Sequence, residues 1–129
     1  MEILNIDRND LQARTELSKI YQHQNKYEDA EKILLEIFNI DKENCYAMAE
    51  LIKVYFKKQN PEECFVIFDT FLSKCNLGKK RKREPQAMFN NIFKLCSIIR
   101  RNDKAKDYFD KYGYLLDQRN IELYKRYFR

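Results

Sequence analysis

Apolar residues recur along this chain at the three- and four-residue spacings of one helix face. Leu11, Leu17, Ile20 and Tyr21, with Ala13 beside them, predict a helix over residues 11–24. Tyr27, Ala30, Ile33, Leu34, Ile37 and Phe38 predict a second over 27–40. The same pattern predicts a pair over 45–58 and 61–75, and a third pair over roughly 86–99 and 103–115. A last segment, about 119–128, carries Ile121, Leu123, Tyr124, Tyr127 and Phe128. Punctuation agrees. Asn9 and Asp10 suit an N-cap for the first helix, and Asn25 suits a left-handed turn. Pro61 suits a first helical position after Asn60, and Asn102-Asp103 a turn and cap. Two Gly and two Pro in 129 residues are too few for the hairpin turns of an all-β fold.

The pattern also repeats. Residues 2–10, E-I-L-N-I-D-R-N-D, return 34 positions later as residues 36–44, E-I-F-N-I-D-K-E-N. The same offset of 34 links Leu17 to Leu51, Tyr21 to Tyr55, Ala30 to Cys64 and Leu34 to Phe68. A fixed period of this size is the mark of a helical repeat array, in which each amphipathic hairpin buries its face only by stacking on neighbours. The third pair is out of phase, because Ala105 follows Cys64 by 41 positions. The extra residues fall around Asn76–Glu84, with Gly78, a charged run and Pro85, as expected of an exposed loop. The expected organisation is residues 2–10 as the end of a preceding hairpin or a half-repeat cap, then 11–44 as the first repeat. Residues 45–75 form the second, 76–85 a basic inserted loop, 86–116 the third and 119–128 a terminal helix.

These residues resemble tetratricopeptide repeats. The first unit matches that family's pattern with Leu17, Ser18 and Tyr21, then Ala30 and Leu34, and the second with Leu51, Tyr55 and Phe68. Ile52 and Cys64 stand where the family prefers Gly or Ala, and Phe71 and Tyr112 where a small residue is typical. The third unit keeps Ala105 and Phe109 but has Phe93 and Cys96 in place of the small residue and the Tyr. The resemblance implies an all-α fold, a right-handed α-solenoid of stacked antiparallel helical hairpins with about three repeats plus a terminal helix. It also implies a non-catalytic scaffold that binds a peptide or helix of another protein in a groove lined by the first helix of each hairpin. On those helices Lys19, Lys53 and Lys94 share one phase. Glu16, Glu50 and Asn91 precede them by one turn. The family's carboxylate clamp for chaperone C-terminal tails is not matched, since Thr15, Glu50, Ala87 and Asn91 occupy most of its places. The partner expected from the lysines is an acidic peptide segment.

A competing reading is an RNA-binding array. The third hairpin, with Phe89-Asn90-Asn91-Ile92-Phe93 and Ala105 to Phe109, is similar to a pentatricopeptide unit, which reads bases from its first helix. Asn91 suits that family's base-reading place, whereas Glu16 and Glu50 in the earlier units would repel phosphate. Another alternative is the regulatory arm of a larger enzyme, or a piece of a longer array.

Charge narrows this choice. Lys79, Lys80, Arg81, Lys82 and Arg83 carry five cations, equal to the whole net charge of +5, so the remainder of the chain is neutral. The basicity is local and reads either as a solvated loop or as a nuclear-localisation or nucleic-acid patch. No aromatic residue interleaves the run, which disfavours a single-strand stacking platform. Catalysis finds little support. His23 is the lone histidine, and no nucleophile elbow, Gly-rich phosphate loop or H-E-x-x-H motif occurs. Cys45, Cys64, Cys75 and Cys96 form no C-x-x-C pair, so reduced thiols in a cytoplasmic or nuclear setting are expected, with no metal, cofactor or small-molecule substrate. No stretch approaches the roughly 18 apolar residues of a membrane span. Glu2 and Asp7 stand where a secretory leader would carry a basic segment and an apolar run.

Overall fold

The computed structural model describes residues 11–42, 44–74 and 83–128, and among them every regular element is a helix. The order is α1 (Leu11–His23), α2 (Tyr27–Ile40), α3 (Cys45–Lys57), α4 (Pro61–Lys74), α5 (Arg83–Ile98) and α6 (Asn102–Tyr112). A 3-10 turn, Gly113–Leu115, and α7 (Gln118–Phe128) follow. Each helix packs on its neighbour in sequence. In addition, α3 packs on α5 and α5 on α7. The predicted spans agree to within a few residues. The largest difference is the start of α5, at Arg83 rather than near residue 86. Pro85 lies in its first turn, where a missing N–H leaves no helical bond unmade. Arg83 therefore belongs to a helix and not to the basic loop. Lys79, Lys80, Arg81 and Lys82, and the caps Asn9 and Asp10, lie outside the described residues.

The three hairpin turns close alike. Asn25, Gln59 and Arg100 all take the left-handed conformation, with φ of 61°, 60° and 62°. The N–H of the next residue bonds back five residues: Lys26 to Tyr21 (2.8 Å), Asn60 to Tyr55 (2.9 Å) and Arg101 to Cys96 (2.8 Å). The left-handed residue's own N–H donates to Gln22, Phe56 or Ser97. This is the Schellman closure, which satisfies the last carbonyls of the first helix and reverses the chain. The turns recur at the 34- and 41-residue offsets of the sequence pattern. At the third turn the left-handed residue is Arg100. Asn102 is the first residue of α6, and Asp103 pairs with the N-cap residue Arg101 at 3.0 Å. The Arg101 guanidinium holds the Asp103 carboxyl down at about 2.

The core runs continuously from Ala30, Leu34 and Ile37 through Met48, Leu51 and Ile52 to Phe68, Phe89, Phe93 and Ala105. It becomes aromatic toward the C-terminal end. Phe68 meets Phe89 edge-on at 5.0 Å and Tyr108 edge-on at 5.0 Å. Phe109 stacks on Tyr124 at 3.9 Å, and Tyr124 and Phe128 pack on Phe93. The terminal helix thus covers the third pair, while Tyr127 remains exposed. Phe71, placed where the repeat pattern favours a small residue, is fully buried and stacks on Phe68. A polar lock secures α7. Gln86 Nε2 donates to the Leu115 carbonyl (2.8 Å), and Asn120 Nδ2 donates to the Gln86 carbonyl (2.9 Å).

Between the first two units, the Tyr55 hydroxyl donates to Glu31 at 2.7 Å and Lys58 Nζ to the same carboxylate at 2.6 Å. At the corresponding positions, 34 or 41 residues later, stand the apolar Phe65, Cys96 and Ile99. Burial pushes the Cys64 thiol up to about 12 and the Cys96 thiol up to about 11, which keeps both protonated and unreactive. Cys75 lies outside the described residues.

Two measurements check this account. Arg100→Gly removes the strain of a side chain at positive φ and is expected to stabilise by about 0.5–1 kcal/mol, read as a rise in denaturation midpoint. A lower midpoint would contradict the assigned turn. The second concerns pH. Burial raises the Glu31 carboxyl, but hydrogen bonds from Lys58 and Tyr55 outweigh it and hold the group below 4.5. An acid depressed on folding stabilises above its unfolded pKa, and that contribution is lost as pH falls through the folded value. Melts below pH 4.5 are therefore expected to show a loss of stability that Glu31→Gln reduces.

Candidate functional site

α1 and α3 face one another across a gap, whereas α3 and α5 pack directly. The gap is a cavity of about 670 Å³ with four walls. α1 contributes Lys19, Gln22 and His23, which lie on one helical face by their three- and four-residue spacing. α3 contributes Tyr46, Glu50, Lys53 and Lys57 by the same spacing, with Phe56 beside them. The first turn adds Asn25 and Tyr27, and α5 adds Asn91.

The electrostatics of the cavity turn on Glu50. This residue is only 7% exposed, and a buried carboxylate needs partners. It has two. Gln22 Nε2 donates to Oε1 at 3.0 Å across the gap, and Lys53 Nζ donates to Oε2 at 3.3 Å from the same helix. Lys19 lies 5.5 Å from the Tyr46 ring centroid and pairs with Glu16 at 3.9 Å. Its ammonium is held above the ordinary value, first by Tyr46 and then by Glu16. Lys57 makes no ion pair among the described residues and is exposed at the rim. The cavity therefore presents three ammonium groups against one internal carboxylate, over walls of Tyr27, Tyr46 and Phe56.

Of the residues singled out in the sequence, Lys19, Lys53, Glu50 and Asn91 meet here. Glu16 does not. It lies outside the cavity and faces solvent beside Lys19. Lys94 is exposed on α5 but does not line the cavity. The reason is the direct packing of α5 on α3, which brings only the Asn91 turn to the opening. The phase shared by Lys19, Lys53 and Lys94 thus spans two environments and is not a continuous ladder within this cavity. Gln22, Tyr46, Phe56 and Lys57 escaped the sequence reading. Lys57 follows Lys53 by four residues and Tyr46 precedes Glu50 by four, so extending that helical face would have found both.

A second cavity, about 320 Å³, lies between α4 and α6. Its charges are largely engaged. The Tyr108 hydroxyl donates to Asp69 at 2.6 Å, Lys111 pairs with Asp107 at 3.5 Å, and Lys104 sits 4.6 Å from the Phe65 ring centroid. Among the described residues no group of three or more His, Cys, Asp or Glu gathers to hold a metal ion, and no helix is long and apolar enough to cross a membrane. Compared with protein-family models, curated proteins and solved structures, the chain matches none.

Gln22 is the cross-gap partner of a buried charge, so Gln22→Ala is expected to lower stability by about 1–2 kcal/mol in denaturant titration. The double variant with Glu50→Ala should recover part of that loss. An additive result would mean that the two side chains do not interact.

Proposed function

We propose that this chain is a non-catalytic interaction scaffold that holds an acidic segment of a partner protein in the groove between α1 and α3. The observation that carries the proposal is the charge of that groove. Three ammonium groups line it, and its one carboxylate is already bound by Gln22 and Lys53. Such a surface attracts acidic segments and sets their register and rate of encounter. The architecture we propose for it is a right-handed α-solenoid of tetratricopeptide-like hairpins. Its support is the threefold recurrence of one turn geometry and the packing of α3 on α5 and of α5 on α7.

A fluorescein-labelled glutamate-rich peptide, followed by anisotropy, tests the proposal. Lys53→Glu is expected to weaken binding about tenfold or more while the helical circular dichroism is unchanged. Lys94→Glu should have little effect, since Lys94 lies outside the cavity. Binding that survives reversal of Lys19, Lys53 and Lys57 together would sink the proposal. So would an oligouridylate that binds where the peptide does not.

A further inference from the structure

The walls of the groove carry a fourth basic position; this step rests on the acidic-segment reading above. His23 lines the cavity from the last turn of α1, one turn beyond Lys19. Lys57 lines it in the same way, one turn beyond Lys53 on α3. The two pairs share the repeat register, since Lys53 follows Lys19 by 34 positions and Lys57 follows His23 by 34. Each wall therefore offers two basic side chains on one helix face. Three of the four are ammonium groups. The other is an imidazole, and the chain has no second histidine.

That difference is chemical. Ammonium groups ordinarily titrate above about pH 10 and carboxyl groups near about pH 4. Imidazole ordinarily changes charge between about pH 5 and 8. His23 is exposed, so its proton exchanges with solvent. The charged groups that share the cavity with it are Lys19 on its own helix and Glu50, Lys53 and Lys57 on α3. Tyr27 from α2 and Tyr46 from α3 are the other titratable groups on the walls, and α5 brings only the uncharged Asn91. Lys26, in the turn, lies outside the cavity. On α2, Glu28 and Glu31 are engaged by Lys58 at 3.3 Å and 2.6 Å and do not line it. Glu50 is held by Gln22 and Lys53. Among the described residues no carboxylate pairs with His23, which leaves its positive charge for an incoming one.

We infer that His23 makes capture of the acidic segment pH-dependent, by adding a fourth positive charge to the groove as pH falls through the neutral range. The carboxylates of the segment attract a protonated His23, so the occupied groove holds that proton more firmly than the empty one. Binding that takes up a proton tightens as pH falls, and the coupling is reciprocal. Lys19, Lys53 and Lys57 set the basal attraction, and His23 modulates it.

A rhodamine-labelled peptide with three glutamates spaced by serines and blocked ends tests this by anisotropy, on the full chain at low salt. Its carboxylates stay ionised at both about pH 7.5 and about pH 5.5. Binding is expected to be about two- to fivefold tighter at the lower pH, the range of one exposed ion pair. His23→Asn should bind the peptide equally at the two values. His23→Lys, which carries a permanent charge, should also bind equally at both and more tightly than His23→Asn. A wild-type affinity that does not change with pH, or a change that persists in His23→Asn, overturns this inference while the acidic-segment reading stands. Failure of the peptide to bind at either pH, with helical circular dichroism intact, overturns both.

Discussion

The contact on which the rest of the molecule depends is the meeting of Phe68 with Phe89 and Tyr108. Left-handed turns close α1 on α2, α3 on α4 and α5 on α6, whereas α4 and α5 are separated in sequence by residues 75–82, which lie outside the described residues. Among the described residues, side-chain packing relates them. Phe68 on α4 is fully buried and presents its ring edge-on to α5 through Phe89 and to α6 through Tyr108. Edge-to-face rings add directional preference to the area they bury, so this cluster fixes an orientation as well as a distance. α5 also packs directly on α3, and its Asn91 reaches the groove.

The groove is governed by a different constraint, the need to satisfy a buried carboxylate. Glu50 sits in a wall that is otherwise basic and aromatic. Gln22 reaches it across the gap and Lys53 reaches it along the helix. The network holds α1 near α3 through polar side chains without closing the space between them. The next first-helix pair illustrates the alternative. There Asn91 stands in the place of Glu50, and α3 and α5 lie in direct contact.

Much of the fold was legible because its determinants are local. The apolar spacing predicted α2 over the residues it occupies and located the other six helices within a few positions, since amphipathic periodicity is imposed by the core each helix must face. The turns were expected at Asn25, Asn60-Pro61 and Asn102-Asp103; the left-handed residues are Asn25, Gln59 and Arg100, which keep the 34- and 41-residue offsets although only Asn is favoured there. The start of α5 was missed because Pro85 read as a breaker, while in the first turn it is tolerated. The candidate site was legible only in part. Lys19, Lys53, Glu50 and Asn91 were found by phase, but phase alone also selected Glu16 and Lys94, which lie outside the cavity.

Sequence by itself determined the helices, their order, the equivalence of their turns and the displacement of the third pair by seven residues, because each depends on spacing along the chain. It also determined that the net charge is concentrated in residues 79–83. Tertiary structure alone decided which charges share a space. That α1 and α3 stand apart while α3 and α5 touch depends on side chains from separate helices meeting in three dimensions: Gln22 with Glu50 on one side, Phe68 with Phe89 and Tyr108 on the other. No one-dimensional period encodes the distance between two helix surfaces. That distance turned a repeated lysine phase into a groove holding two of its three members, with Lys57 in place of the third.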